Sequence, residues 1–246
     1  GHECVVLPTA LLSTHTGGFT GYTFLDLSEE MQKILRHWQQ LALHFDALYT
    51  GYFANAAQMQ IVDAFARPRR LFRLLDPVMG DCGKLYSAYD ADFAAQMRKF
   101  CKGADLITPN MTEAALLTDS EFLGDEYNPS VLQRQLDTLY DLQIERVVLT
   151  GVRFSAQEIG IVAARRAAPG WQCFKTLYAD TYFHGGGDTF ASALCGKILQ
   201  GVPFYEAAKQ ALEFTYRAIL RTVPTEQRYG LCFEPELFTL NNPGSV

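Results

Sequence analysis

Short apolar runs alternate with amphipathic stripes along this chain. Five runs have the length of buried strands, and they cover residues 5–7, 47–49, 71–75, 106–107 and 147–149. Between them, apolar residues recur at the spacing of a helix with one buried face. This alternation predicts an α/β fold, in which helices cover both faces of a mostly parallel sheet and ligands bind at the carboxyl ends of its strands.

The predicted helices carry recognisable start and stop signals. One begins at Ser28, another covers residues 90–102 and stops at Gly103, a third is capped by Asn128, and a fourth follows Pro203. The apolar face of the first helix comprises Met31, Ile34, Leu35, Trp38, Leu41 and Ala42. These signals divide the chain into regular strand and helix units.

An antiparallel hairpin is predicted near the end of the strand series. The runs 159–165 and 171–178 flank the turn Ala168-Pro169-Gly170, which favours a hairpin added at the sheet edge. The sequence contains no internal repeat and no low-complexity linker. We therefore expect a single domain over residues 1–246.

Composition and charge exclude several classes of protein. Hydrophobic residues make up 48% and charged residues 20% of the 246 positions, which excludes a disordered chain. No run reaches the roughly 18 apolar residues of a membrane span. The net charge of -6 is opposite in sign to that of a typical nucleic-acid binder. An anionic ligand such as ATP would therefore require local backbone dipoles and a metal ion.

The cysteines indicate a reducing compartment. All six are scattered singly, and none forms a C-x-x-C pair, which argues against a zinc knuckle, a thioredoxin-type site or a disulfide framework. We therefore predict a cytoplasmic protein.

The most informative segment is His184-Gly185-Gly186-Gly187-Asp188, which opens a helical run over residues 191–199. Glycines let the backbone approach a ligand closely, and the free N–H groups at a helix start bind anions. A carboxylate beside such a site can accept the proton of an attacking hydroxyl, as phosphoryl transfer requires. The alternative interpretation is a flexible glycine turn with Asp188 as an ordinary N-cap.

Other glycine-loop interpretations fail on spacing. A Walker A loop requires G-x-x-x-x-G-K-[ST], whereas the segment from Gly80 to Leu85 has the wrong gap and a leucine in place of the hydroxyl. A dinucleotide fingerprint would need a third glycine where the chain has the bulky Phe190. Neither class of nucleotide loop is therefore predicted.

Two further strand ends carry polar residues. Asp76 and Asp81 flank a Pro and Gly turn after the strand at residues 71–75, and such carboxylates suit magnesium held together with nucleotide phosphates. Asn110 and Glu113 lie on one turn after the next strand, and we expect Glu113 to be exposed there as a capping acid or a metal ligand. The alternative for the first pair is a loop of solvated acids.

Six ordered segments carry a resemblance to a known family. The sequence resembles the ribokinase-like superfamily and, within it, the pyridoxal kinases of vitamin B6 salvage, with the hydroxymethylpyrimidine kinases as near neighbours. The matching segments are LPTALLSTHTGGFTG, DALYTGY, DPVMGDCGKLY, ITPNMTEA, RVVLTG and FHGGGDTFASAL. The resemblance implies a ribokinase-like fold and ATP-dependent phosphorylation of the 5'-hydroxymethyl group of pyridoxal, pyridoxamine or pyridoxine.

The resemblance also implies a role for each matching residue. Asp188 would be the catalytic base, and the amides of Gly185, Gly186 and Gly187 would form the anion hole. His15, Thr16 and Tyr52, with Asp188, would line the pyridine pocket. The positions expected along the ATP phosphates are Asp76, Thr108, Asn110, Glu113, Thr150 and Gly186. Those expected to organise Mg²⁺, through water, are Glu113, Asp76 and Asp81, with Tyr86 in a phosphate-side loop.

The chain departs from the family pattern in two places. The family begins with a further strand, loop and helix that contribute to the pyridine site, and this chain starts inside what corresponds to the second strand, so we expect the fold without that unit. Gly186 stands where the family usually has Thr, which predicts weaker phosphate binding. These departures leave hydroxymethylpyrimidine kinase and a non-catalytic binder of nucleotide or pyridoxal 5'-phosphate as alternatives. The resemblance further implies a homodimer and allows a monovalent cation such as K⁺.

Overall fold

The computed structural model describes residues 2–17, 19–179, 184–225 and 229–241. Its strands are β1 (Ala10–Leu12), β2 (Phe24–Asp26), β3 (Ala47–Thr50), β4 (Phe72–Leu75), β5 (Gly80–Asp81), β6 (Lys84–Leu85), β7 (Leu106–Ile107), β8 (Arg146–Arg153), β9 (Glu158–Arg165) and β10 (Trp171–Leu177). Its α-helices are α1 (Ser28–Gln40), α2 (Ala56–Ala66), α3 (Ala91–Cys101), α4 (Met111–Thr118), α5 (Pro129–Asp141), α6 (Gly186–Leu199), α7 (Phe204–Thr222) and α8 (Leu237–Asn241). Short 3₁₀ helices cover Arg67–Arg69 and Glu234–Glu236.

A six-stranded sheet forms the centre of the molecule, with the strand order β10-β9-β8-β7-β4-β3. The strands β3, β4, β7 and β8 pair in parallel, whereas β9 and β10 add an antiparallel hairpin at one edge. This arrangement confirms the predicted mostly parallel sheet and the predicted hairpin. The carboxyl ends of the four parallel strands consequently meet along one edge.

Alternating side chains of the strands build two apolar layers, one on each face of the sheet. Leu75 and Ile107 point into the layer that α1 to α5 cover. Their neighbours Leu74 and Leu106 point into the layer that α6 and α7 cover. Since successive strand residues face opposite sides, continuous apolar runs are the expected sequence of a sheet that is buried on both faces.

Several helix ends confirm the predicted signals. Asp90 caps α3 by accepting a hydrogen bond from the Phe93 N–H at 2.9 Å, and Gly103 beyond its end has a positive φ of 69°. Asn128 caps α5, which begins with Pro129. Pro203 directly precedes α7.

Three local predictions are wrong. Residues 5–7 form no strand, and Val5 and Val6 are 47% and 76% exposed, because no neighbouring strand pairs with this segment in the described part of the chain. The stripe of α1 was expected to continue to Ala42, but the helix ends at Gln40 and Ala42 has a positive φ of 51°. The helix that follows the glycine segment begins at Gly186, several residues before the expected run.

Two small antiparallel pairs lie outside the main sheet, and the apolar pattern did not predict them. Strands β1 and β2 pair with each other, and we call them the flap, together with residues 13–17 and 19–23 between them. Strands β5 and β6 form a second pair immediately after β4. Both pairs extend from the carboxyl edge of the sheet, where the polar residues collect.

A helix that spans a lipid bilayer must be both long and apolar. None of the helices in the described ranges combines the length and the apolar character needed to span a membrane.

Candidate active site

Polar residues follow the parallel strands at one edge of the sheet. Asp76, the first residue after β4, donates its N–H to the carbonyl of Thr50 at the end of β3, at 2.9 Å. Thr108 follows β7, and its N–H donates to Leu75 at 3.2 Å. Thr150 of β8 forms an isolated parallel bridge with Asn110. The backbone therefore places Asp76, Thr108, Asn110 and Thr150 in one row at the carboxyl edge of the sheet.

The start of α6 forms a turn of glycines, which we call the glycine loop (residues 184–188). Gly185 is the N-cap residue and has a φ of +81°, a conformation that side chains rarely adopt. Thr189 donates the first hydrogen bond of the helix, to the Gly185 carbonyl at 3.0 Å. The N–H groups of the preceding three residues therefore point beyond the helix start, where they can bind an anion.

Asp188 is the third residue of α6, so it does not cap the helix as the alternative interpretation supposed. Burial raises the pKa of its carboxyl. A Cβ atom built on Gly51 would lie 3.6 Å from Asp188 Oδ1, so the backbone after β3 comes close to this carboxylate. The backbone at Gly51 therefore leaves little room for a side chain beside the carboxylate of Asp188.

Asp76 lies close to the glycine loop on its other side. A Cβ atom on Gly187 would be 3.9 Å from Asp76 Oδ2. Asp76 is 6% exposed, and burial, followed by the negative charge of Asp188, raises its pKa to about 8. The charges of Asp76 and Asp188 thus interact at the start of α6, where Asp76 is buried and Asp188 remains exposed.

Glu113 is the third carboxylate of this group, and it is buried rather than exposed as expected. Its Oε1 accepts the Met79 N–H at 3.1 Å and its Oε2 accepts the Asn110 N–H at 2.9 Å. Asn110 Oδ1 in turn accepts the Glu113 N–H at 2.8 Å, which completes a capping box for α4. Burial and the charge of Asp76 raise the pKa of Glu113 well above its usual range.

These carboxylates fit a divalent cation that also binds phosphate. In the described residues, Asp76, Glu113 and Asp188 form no ion pair. No group of three or more His, Cys, Asp or Glu side chains in the same residues is arranged to hold a metal by itself. Mg²⁺ is typically bound by one or two carboxylates, water and substrate phosphates. The site therefore matches a metal that arrives with the nucleotide.

Asp81 and Tyr86 lie on the outer hairpin of β5 and β6, away from the buried carboxylates. Asp81 Oδ1 accepts the Cys82 N–H at 2.8 Å, and its charge raises the pKa of Cys82 and contributes to the raised pKa of Asp125. Tyr86 donates its N–H to Met79 at 3.0 Å, and its side chain is 42% exposed. After burial, the charge that raises the pKa of Asp76 is that of Asp188.

The flap brings the predicted pyridine-side residues to the glycine loop. The rings of His15 and His184 lie 4.8 Å apart, centroid to centroid. Thr16 follows on the exposed side of the flap. Tyr52 accepts a hydrogen bond from Thr9 Oγ1 at its carbonyl, at 3.0 Å. His15 thus lies on the flap near the glycine loop with Thr16 next to it, whereas Tyr52 lies shortly after β3 with its ring 6.2 Å from that of Tyr89.

Tyr49 is a functional candidate that sequence reasoning missed. Its phenol is largely buried, and burial together with the charges of Asp76 and Asp188 raises its pKa far above the usual range. Its position inside an apolar strand had no polar signal in the sequence. A Cβ atom built on Gly51 would lie 4.0 Å from the Tyr49 hydroxyl and 3.6 Å from Asp188 Oδ1. Only the three-dimensional structure shows that these groups are neighbours.

Comparison with known proteins assigns the whole arrangement to one family. The sequence model of phosphomethylpyrimidine kinase matches residues 3–232. A solved structure from Bacteroides thetaiotaomicron, assigned as a phosphomethylpyrimidine kinase, is 34% identical and superimposes with a TM-score of 0.92, covering 98% of this chain and 84% of that protein. A second crystal form of it contains pyridoxal.

Two further relatives bear the name pyridoxal kinase. The structure from Lactobacillus plantarum is 30% identical, with a TM-score of 0.88 over 97% of this chain and 87% of that one. A curated Saccharomyces cerevisiae protein assigned as a pyridoxal kinase is 25% identical over 205 residues, which is 76% of this chain. The chain spans 62% of the length of that yeast relative.

Proposed function

The chain belongs to the phosphomethylpyrimidine kinase family, and on that premise we propose that it transfers the γ-phosphate of ATP to the 5'-hydroxymethyl group of pyridoxal, pyridoxamine or pyridoxine. The observation that carries the proposal is the position of Asp188. It stands in the first turn of α6, beside the free N–H groups of the glycine loop, and four residues after His184, whose ring contacts His15 of the flap. A base located between a phosphate site and an aromatic-lined site suits a hydroxymethyl heteroaromatic acceptor.

Asp188 is the catalytic base of the proposed reaction. The acceptor oxygen attacks the γ-phosphorus in line, its proton passes to the Asp188 carboxylate, and ADP leaves with the electron pair of the broken phosphorus–oxygen bond. Partial burial raises the pKa of Asp188, which makes its carboxylate a stronger proton acceptor. The N–H groups of Gly186 and Gly187 bind the oxygens of the phosphoryl group during transfer.

The nucleotide occupies the row of strand ends in this proposal. Thr108, Asn110 and Thr150 line the phosphates, while the glycine at position 186 supplies only a backbone donor. Asp76 and Glu113, acting through water, would hold Mg²⁺, which would neutralise charge on the transferred phosphoryl group. Asp81 and Tyr86 contact the phosphate side from the outer hairpin, and K⁺ is an additional candidate activator.

His15, Thr16 and Tyr52 bind the pyridine ring of the acceptor. Imidazole and phenol rings offer both a flat surface and polar atoms, which complement a hydroxypyridine. The Bacteroides relative that binds pyridoxal in its crystals supports this choice of acceptor. Hydroxymethylpyrimidine is the second candidate, because the matching family model and the same relative carry the name of pyrimidine kinases.

Two further features support a cellular compartment and an oligomeric state for the proposed enzyme. The six cysteines are all free, which supports a reducing, cytoplasmic compartment. The flap exposes Leu11 and Leu25 to 63% and 56%, and such apolar side chains support a homodimer.

The proposal is tested by measuring ADP formation with Mg²⁺, ATP and each acceptor in turn. Pyridoxal, pyridoxamine, pyridoxine and hydroxymethylpyrimidine are compared with a reaction that contains no acceptor, which gives background ATP hydrolysis. We expect phosphorylation of at least one pyridine above background, with the highest kcat/KM for a pyridine. A preference for the pyrimidine would favour the second candidate. Binding of nucleotide or pyridoxal 5'-phosphate without turnover would refute both and leave a non-catalytic binder.

A further inference from the structure

The flap contacts the glycine loop through one close ring contact. The imidazole of His184 lies directly on the backbone of Gly17, and a Cβ atom at position 17 would overlap Cε1 and Nδ1 of that ring. Gly17 has no positive φ that would by itself favour glycine. A side chain at position 17 would therefore force the ring of His184 to shift, whereas the local backbone conformation itself does not call for glycine.

The same imidazole also contacts the side chain of the acceptor site. His15 and His184 have ring centroids 4.8 Å apart at an interplanar angle of 45°. Phe19 contacts the other side of His15, edge to face, with centroids 4.8 Å apart. The orientation of His15 is thus defined between a ring of the flap and a ring of the glycine loop.

The rest of the flap offers little packing that would hold it in place. Leu11, Phe24 and Leu25 are 63%, 47% and 56% exposed. At the base of the flap, Thr9 is held by hydrogen bonds with the Tyr52 carbonyl and with Gln58 Nε2. A two-stranded hairpin is marginally stable alone, so a flap anchored at its base depends on contacts at its tip for a defined position.

We propose that His184 is a positioning residue, which packs on Gly17 and against His15 and thereby fixes the flap at the working distance from Asp188. The ring stands four residues before Asp188 in the sequence, on the loop that binds the phosphoryl group. Closing the flap on this ring therefore couples the position of the acceptor to that of the base. The effect on the position of the acceptor rests on the proposed kinase function, whereas the contact between His184 and the flap does not.

A double-mutant cycle tests the contact. Gly17→Ala places a methyl group against the ring, His184→Ala removes the ring, and the double variant combines the two changes. We expect each single variant to raise the KM for the acceptor by about tenfold, because a small displacement of the acceptor is costly, with the KM for MgATP unchanged. In the His184→Ala background, Gly17→Ala should have no further effect, since the overlapping atoms are gone. His37→Ala, which removes an exposed imidazole of α1, is the matched control and should leave both KM values unchanged.

The same cycle is measured by urea unfolding without any substrate. A smaller effect of Gly17→Ala in the His184→Ala background supports the contact whether or not the chain is a kinase. Equal effects of Gly17→Ala in both backgrounds would overturn the inference, and so would a KM for MgATP that rises as much as the KM for the acceptor. If the parent chain phosphorylates none of the acceptors, the proposed function fails, and the unfolding cycle alone decides the contact.

Discussion

The negative charge of Asp188 acts on Asp76, and together with burial it raises the pKa of Asp76 to about 8. The charge of Asp76 has the same effect on Glu113. Three carboxyl groups therefore meet at the start of α6 under conditions that favour their neutral forms. A bound cation would relieve this repulsion, whereas without a cation the repulsion opposes folding near neutral pH.

The first prediction concerns the pH dependence of stability. The pKa of Asp76 is about 8 in the folded chain and near 3.8 in the unfolded chain, so the folded state retains a proton that the unfolded state loses between these values. The stabilisation by this group is therefore complete below pH 3.8 and is lost as the pH rises towards 8. Asp76→Asn removes the charge that is costly to bury, so it should stabilise the metal-free protein at alkaline pH, by roughly a few kcal/mol at most.

Urea unfolding at about pH 4 and about pH 8, near the two ends of this window, measures this effect. Asp141→Asn, at the exposed end of α5, is the control for removing one carboxylate. If the unfolding free energies of the parent and Asp76→Asn change in parallel with pH, the carboxyl of Asp76 titrates normally and the crowded-carboxylate interpretation is wrong.

The second prediction isolates proton transfer at Asp188. Asp188→Asn keeps the shape of the side chain but cannot accept the proton, and general-base catalysis contributes about 10² to 10⁴ in rate. Because Gly185 occupies the cap position, the fold and the affinity for ATP should survive while kcat falls at least about a hundredfold. Turnover, nucleotide titration and melting are measured on one preparation.

Asp92→Asn, an exposed carboxylate in the first turn of α3, is the matched control for that variant. Turnover of Asp188→Asn close to that of the parent would exclude the base role. Loss of ATP binding would instead place the residue in the nucleotide site.

The third prediction concerns Glu113, which accepts two backbone N–H groups. Glu113→Gln has only one acceptor oxygen, so either the Met79 or the Asn110 N–H loses its partner, at a cost of about 1 to 3 kcal/mol. If the carboxylate also organises the metal, the Mg²⁺ concentration for half-maximal activity should rise. Glu121→Gln, at an exposed position, should change neither quantity. A stability loss with unchanged Mg²⁺ dependence would make Glu113 a purely structural cap.

The fourth prediction separates the acceptor side from the nucleotide side. Tyr52→Ala should raise the KM for the pyridine much more than the KM for ATP, because Tyr52 follows Gly51, whose backbone comes close to Asp188, and its ring is the one assigned to the pyridine in the proposed function. Tyr216→Ala, which removes a partly buried ring from α7, provides the comparison. Equal losses of both affinities would identify Tyr52 as a packing residue.

The fifth prediction concerns the glycine at position 186. A Cβ atom there has open space and no positive φ, so Gly186→Thr should fold normally and gain about 0.4 to 1 kcal/mol from reduced freedom of the unfolded chain. The added hydroxyl should lower the KM for ATP. Gly185→Thr should instead destabilise, because the φ at position 185 is +81°. Urea unfolding and ATP titration compare the two, and an unchanged KM for Gly186→Thr would show that the hydroxyl has no phosphate to bind.

The sequence predicted the elements whose local signals agree with their packing. The apolar runs at β4, β7 and β8 are buried on both faces, and Asn110 and Asn128 cap the helices that follow them. The run at residues 5–7 has the same composition but no neighbouring strand in the described chain, so composition alone misled the prediction. Pairing partners are a property of the fold and not of the segment.

The site was predictable at the strand ends and less so between them. Asp76 and Asn110 follow strands that pair in parallel, so their proximity follows from topology. Other features of the site depend on contacts between segments distant in sequence. These are the burial of Glu113, the place of Asp81 on the hairpin of β5 and β6, and the phenol of Tyr49 beside two carboxylates. No periodic pattern contains that information.

The hydrogen bonds of Glu113 have a consequence for how substrate choice can change. They join the loops after β4 and β7 into one unit. The residues proposed to bind the acceptor ring lie instead on or beside the flap, which is anchored at its base by Thr9. Mutations in the hairpin can therefore exchange the ring that is recognised without rebuilding the transfer chemistry. A scaffold of this kind is suited to diverge between pyridine and pyrimidine alcohols by changes in a few flap residues.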